Sequence, residues 1–167
     1  MFEIITASEN EIPLIEDILF DTVRWLDSIG QPLWHENQIT WERLSKDFIA
    51  SDFKIAMLGG IPAACMAIVD YCPLIWPDIE KGQSLFIHKL AVKRFAAGKG
   101  LSDSLITHAK KMCKDKGIYA LRLDCDKDRP KLRSLYERNG FICVAEKDLV
   151  FTNIKYPIAF YKYDVYD

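Results

Sequence analysis

Apolar residues along the chain alternate between helix-like and strand-like spacing, and these changes mark out the elements. Residues 2–5 read as a first strand. Ser8 and Glu11 then stand three apart, the spacing of a capping box, and Pro13 fits the first turn of a helix. Ile12, Ile15, Leu19, Val23 and Leu26 recur every three to four residues, which predicts one buried helical face ending at Gly30. A second helix is expected through Trp41, Leu44 and Phe48. Between the two helices, Gln31-Pro-Leu-Trp-His-Glu-Asn37 is an irregular polar and aromatic connector, the kind of segment that borders binding sites.

Residues 53–58 and 63–71 are strand-like and are separated by Gly59-Gly60-Ile61-Pro62, whose paired glycines permit a tight hairpin. A loop over residues 73–82 leads to a strand over 84–92. Leu101, Leu105, Ile106, Ala109 and Met112 then describe a helix within 98–116, stopped by Gly117. Residues 119–125 read as a strand, Asp128 and Pro130 open a short helix ending near Gly140, residues 141–144 begin another strand, and 158–165 form a last one. Repeats and linkers are lacking, so one domain over 1–167 is expected. The order is α+β, with one mixed sheet and helices on both faces.

Composition narrows the function. Half of the 167 residues are apolar, enough for a sizeable core. Acidic residues number 24 and basic residues 22, so the net charge of -2 leaves no broad footprint for nucleic acid. Cys65, Cys72, Cys113, Cys125 and Cys143 are odd in number and never spaced as CxxC, which argues against both a disulfide framework and a metal site. The N-terminal residues resemble no leader, and no apolar stretch has bilayer-spanning length, so a cytoplasmic protein without a membrane partner is expected.

The chemistry concentrates in Leu90-Ala-Val92 and Ala97-Gly-Lys-Gly-Leu-Ser102, a strand end followed by a loop that opens a helix. Amides at a helix N-terminus point outwards without partners, and with the helix dipole they favour phosphate. Gly98 and Gly100 let the main chain close around a diphosphate, and Lys99 adds charge at the rim. Taken alone, the same glycines also suit a helix start that binds nothing; the pattern is neither GxGxxG nor a Walker A sequence.

In context, residues 90–100 resemble the coenzyme-binding motif of the GNAT superfamily of N-acetyltransferases, where a strand ending in LAV precedes an (Arg/Gln)-x-x-Gly-x-(Gly/Ala) loop. Leu121-Arg-Leu-Asp-Cys125 resembles that family's next strand, and Leu135-Tyr-Glu-Arg-Asn-Gly-Phe141 its LYEKxGF segment. The resemblance covers roughly residues 84–144. It implies a central mixed, mostly antiparallel sheet of six to seven strands flanked by about four helices. It also implies acetyl-CoA as co-substrate, held by Leu90, Ala91, Val92, Ala97, Gly98, Lys99, Gly100, Leu101, Ser102, Arg129 and Tyr136. Ala97 departs from the usual Arg or Gln and removes one long polar side chain, for which Arg94 or Lys99 are substitutes; Ser102 stands where Gly or Ala is usual.

The resemblance also assigns roles. Tyr136 corresponds to a tyrosine that protonates the departing thiolate. His88, two residues before the LAV segment, corresponds to a base used by some arylalkylamine acetyltransferases, and a backbone N–H near Leu90 polarises the carbonyl. Packing against the sheet is the alternative for His88, and core packing for Tyr136. His35, Glu36 and Glu80 are secondary base candidates, or ordinary solvated side chains. Cys125 falls in a strand with no paired base evident, so direct transfer is preferred to an acyl-enzyme.

Trp34 and Trp76, both expected in loops, join His35 and Glu80 as acceptor-site candidates, whereas Trp25 and Trp41 lie on helical apolar faces and suit packing. The expected acceptor is a small-molecule amine or a peptide, and a homodimer is left open. The competing reading is a non-catalytic acyl-CoA sensor or interaction module, to which Ala97 lends support.

Overall fold

The computed structural model describes residues 2–166. The elements follow in the order β1 (Phe2–Thr6), α1 (Ile12–Ser28), α2 (Trp41–Leu44), β2 (Phe53–Leu58), β3 (Ile61–Val69), β4 (Ser84–Val92), α3 (Leu101–Lys116), β5 (Ala120–Asp126), α4 (Pro130–Arg138), β6 (Ile142–Phe151) and β7 (Ile154–Asp164). The strands form a seven-stranded mixed sheet in the order β1-β2-β3-β4-β5-β7-β6. The β1–β2, β2–β3, β5–β7 and β6–β7 pairs are antiparallel, and β4–β5 is parallel. Sheet and helix count match the expected architecture.

The chain divides into two compact units, and β4 and α3 each contribute to both. The first comprises Met1–Val69 and His88–Leu105. The predicted capping box opens a 3-10 turn over Glu9–Glu11 that leads into α1: the Ser8 amide donates to Glu11 Oε2 at 2.7 Å, and the Asn10 amide donates to Ser8 Oγ at 3.3 Å. Ile15, Ile18, Leu19 and Val23 are fully buried and pack with Ile39, Leu44, Phe53, Ile55, Cys65 and Ala67. Gly59 and Gly60, with φ of 58° and 80°, form the tight β2–β3 turn, so β3 starts at Ile61 rather than residue 63.

Helix α2 stops at Leu44 instead of running to Phe48. Thr40 caps its start, with the Arg43 amide donating to Thr40 Oγ1 at 3.3 Å, and by Lys46 the bonding has tightened to Arg43 O. Phe48 is nonetheless buried, because it meets Phe53 edge-on at 5.5 Å outside the helix.

The second unit comprises Asp70–Ile87 and Ile106–Asp167. Within it β4 and β5 pair over three positions, from Ser84↔Ala120 to Phe86↔Arg122. Strand β7 starts four residues earlier than expected, at Ile154, because Thr152 and Asn153 at φ 51° and 62° make a tight turn without glycine. Pro157 continues that strand, paired with Asp148. Strand β6 ends the sheet order, carries a bulge between Cys143 and Ala145, and has Glu146, Lys147 and Asp148 exposed at its middle. Among the described residues no helix is long and apolar enough to cross a membrane, and no cluster of His, Cys, Asp or Glu is arranged to hold a metal ion.

Candidate active site

In the first unit, the path from β4 into α3 is fastened by one face of α1. Thr22 Oγ1 donates to Val92 O at 3.5 Å, Asp17 pairs with Lys93 Nζ, and the Arg94 amide donates to Asp21 Oδ2 at 2.8 Å. The Lys93 amide donates to Ala63 O at 2.8 Å, and the Arg94 guanidinium lies 4.4 Å from the Trp25 ring centroid. Arg94 is thus tied to α1, which leaves Lys99, exposed on the loop, as the cation nearest the glycines in sequence. Asp17 and Asp21 were not singled out from sequence and Trp25 was read only as a packing residue, although their four-residue spacing is the signal of a shared helical face.

The loop then turns through Gly98 at φ 74° and Gly100 at φ 82°, a conformation that L-residues adopt at a cost. A Cβ built on either glycine meets nothing within 4 Å. Glycine is therefore favoured by the backbone conformation, and no more distant part of the described chain crowds the Cβ direction at either position. The amides of the first turn of α3 have no carbonyl one turn earlier within the helix, so the helix itself leaves them as donors next to this turn. Ala97 and Lys99 are exposed, Ser102 is half-buried and Leu101 is buried.

Upstream, Lys89 sits at φ 52° in the middle of β4, an uncommon conformation for a non-glycine residue. It breaks the alternation just before Leu90, and Ala91 is buried while Leu90 and Val92 are partly so. Lys89 Nζ lies 4.8 Å from the centroid of Trp34, so the connector's tryptophan is brought beside β4. His35 is exposed; its amide donates to Gln38 Oε1 at 2.9 Å. Glu36 reaches Arg24 at 3.7 Å, across water-exposed surface.

His88 packs against Phe48 with ring centroids 5.7 Å apart. Burial first, and then the Lys89 charge, pull its pKa down from 6.5 to about 4, with Asp47 opposing. The ring is neutral at pH 7. Because the unfolded state binds the proton from pH 6.5 downwards and the folded state resists it, this contribution to stability is complete above pH 6.5 and is lost as pH falls towards 4. The folded protein should lose about 2 kcal/mol between pH 7.5 and 5 from this group. Urea unfolding of the wild type and His88→Gln at both pH values checks it: the variant should lose less, and equal losses would contradict the assignment.

In the second unit, Tyr136 lies on α4 and is 5% exposed. Its ring is 6.0 Å from those of Phe141 and Tyr161. Burial above all, with Cys125 and Asp124 adding to it, holds the phenol above its ordinary pKa, so it stays protonated through the neutral range. Helix α4 is anchored by Arg133, which donates to Tyr161 Oη at 2.8 Å and to Lys127 O at 3.2 Å and pairs with Glu146; Tyr161 in turn donates to Glu137. Arg129 precedes α4 and reaches Asp126 at 3.5 Å. Burial pushes the Cys125 thiol up to about 12, so no thiolate stands ready there.

Of the remaining candidates, Glu80 is exposed in the β3–β4 loop, its amide donating to Gln83 Oε1 at 3.2 Å. Trp76, on the same loop, is 8% exposed and packs against Phe86 and Phe160.

Comparison with known proteins places this geometry. The model of the acetyltransferase (GNAT) family matches residues 21–141. The uncharacterised N-acetyltransferase YesJ of Bacillus subtilis (strain 168) is 27% identical over 134 residues, covering 76% of this chain and 74% of that protein. Among solved structures, a GNAT-family acetyltransferase from Listeria monocytogenes 4b F2365 superposes with a TM-score of 0.77 at 23% identity, covering 98% of this chain and 94% of that one. The PaiA N-acetyltransferase of Thermoplasma acidophilum, solved in complex with coenzyme A, gives a TM-score of 0.70 at 16% identity, covering 98% and 99%. With the family model matched from the middle of α1 through Phe141, the chain belongs to the acetyltransferase (GNAT) family and is an acyltransferase.

Proposed function

We propose that the protein transfers the acetyl group of acetyl-CoA to a primary amine of a small-molecule or peptide acceptor, by direct attack within a ternary complex. The observation that carries this reading is the positive-φ turn at Gly98 and Gly100 ahead of α3, where a Cβ on either glycine would meet nothing within 4 Å, a turn that suits a diphosphate. The amides of Gly98 through Ser102 would hold that diphosphate, with Lys99 at its rim. Coenzyme A in the PaiA structure supports the same ligand here. When bound, acetyl-CoA supplies an activated thioester.

The distortion at Lys89 supports an oxyanion role for a backbone N–H near Leu90, because a break in a strand interrupts the regular ladder of donors. His88, neutral at pH 7, serves as proton acceptor. Taking the proton of a free alkylammonium, whose pKa is about 10.4, would cost about 9 kcal/mol at a base this weak. The amine therefore has to arrive neutral, and His88 accepts the proton only as the new N–C bond makes the nitrogen acidic. Tyr136 keeps its proton and presents it to the departing sulfur. The high pKa of Cys125 argues against an acyl-enzyme route.

Heat unfolding with acetyl-CoA tests the reading. At a hundredfold excess over Kd a ligand of the native state adds about 2.7 kcal/mol, which for a chain of this size raises Tm by about 5–10 °C. The same samples, given polyamines, arylalkylamines, amino acids and peptides, should release thiol with at least one. A Tm shift without turnover on any amine would identify a sensor; no shift at all would end the proposal.

A further inference from the structure

Inside the second unit, Trp76 of the β3–β4 loop lies over the guanidinium of Arg122 on β5, with Cζ 5.0 Å from the ring centroid. The same indole meets Phe86 of β4 at 6.1 Å and Phe160 of β7 edge-on at 5.1 Å. One indole thus covers the planar cation and is itself held in place by two further rings. Burial lowers the Arg122 pKa, with the Asp164 charge opposing, yet Asp164 is held by Lys162 at 2.7 Å. The hydrogen bond that Arg122 makes to another described residue is from Nε to Ser84 Oγ, 2.9 Å. That neutral hydroxyl uses one of five guanidinium N–H donors.

A second observation concerns the indole itself. Trp76 is more than nine-tenths buried, and its Nε1 has no hydrogen-bond acceptor among the described residues. A buried N–H without an acceptor is costly and marks a place where an acceptor is wanted. A half-buried guanidinium with further N–H donors, covered by the indole that carries such an N–H, matches a planar carboxylate, which takes two parallel N–H bonds from arginine.

We propose that Trp76 and Arg122 form a carboxylate subsite, so that the preferred acceptors are amines that also carry an acid group. Because Nε1 is buried, a carboxylate held by Arg122 reaches it only if the loop over residues 70–83 shifts. Alternation along β4 puts Ser84 and Phe86, which meet Arg122 and Trp76 respectively, on one side of that strand. The acceptor assignment rests on the acetyl-transfer reading, whereas carboxylate binding does not need it.

Two measurements test the proposal. Thiol release is followed with a homologous series of ω-amino acids and with their ω-amino carboxamides, which differ in the acid group alone. The best acid should exceed its carboxamide in kcat/KM by about 10–100-fold, and Arg122→Gln should bring that ratio below about threefold. Arg122→Lys, which keeps the charge but loses the fork, should fall between and serves if the glutamine variant does not fold. A wild-type ratio near one, or a ratio that survives in the variants, overturns the subsite. Independently of turnover, the indole N–H resonance of Trp76, assigned with Trp76→Phe, should shift when N-acetyl-6-aminohexanoate is added and stay in place with the matching carboxamide. A shift in the absence of any acetylation would leave the subsite standing and end the transfer reading. No shift with either compound would end the subsite, even with transfer intact.

Discussion

Replacing Tyr136 by phenylalanine should lower kcat by about 10²–10⁴-fold while acetyl-CoA still raises Tm by as much as in the wild type. The substitution removes one oxygen from a buried ring and keeps the edge contact with Phe141 and the tilted contact with Tyr161, so the packing of α4 should survive. What is lost is the proton that the buried phenol retains across the neutral range. The wild-type rate should accordingly show no alkaline fall from tyrosine ionisation below about pH 10, since burial moves the phenol upwards from there. Steady-state kinetics of both forms decides the matter. A drop of less than about threefold would return Tyr136 to a packing role and leave the thiolate to take its proton from water.

The second large effect belongs to the turn ahead of α3. Gly100→Ala should cost about 1–2 kcal/mol of stability, because φ near 82° strains any residue with a Cβ. Nothing within 4 Å opposes the new methyl, so the protein should fold. The same methyl, or the relaxation that relieves it, moves amides that would hold the diphosphate. KM for acetyl-CoA should rise by about 10–100-fold, the worth of one or two charge-assisted hydrogen bonds, with kcat much less affected. Gly98→Ala should behave alike. Gly60→Ala, a positive-φ substitution in the β2–β3 turn, is the control: similar loss of stability, unchanged KM. Equal KM in all three variants would remove the diphosphate from this turn.

The features readable from sequence were those set by neighbours in the chain. Ser8 with Glu11, Gly59 with Gly60, and Gly117 after α3 each announce a boundary through local chemistry, and the structure has them where expected. Features set by distant contacts were not readable. Lys89 gives no hint of its left-handed backbone, because a lysine in a β-rich run prefers an extended one. Thr152 and Asn153 lack the glycine that signals a hairpin, and Pro157 argues against the strand it lies in, so the start of β7 was missed. At the site, the glycine turn was visible as a motif. Its fastening by Asp17, Asp21, Thr22 and Trp25 was not, since those residues meet it only after some seventy intervening positions fold. Trp76 looked like an open loop residue, and its burial against Phe86 and Phe160 depends on strands that are far away in the chain.

Strand β6 bounds the sheet order, and its central Glu146-Lys147-Asp148 has a consequence for crowding. Were two copies to join rim to rim as antiparallel strands, the twofold would centre on a single residue, because directly opposed side chains must share a face. Centring on any of these three sets like charge against like, and the bulge between Cys143 and Ala145 spoils the registers on one side. The middle of this edge strand therefore resists rim-to-rim pairing of two copies, even though Ile142, Val144 and Val150 are exposed along the same strand.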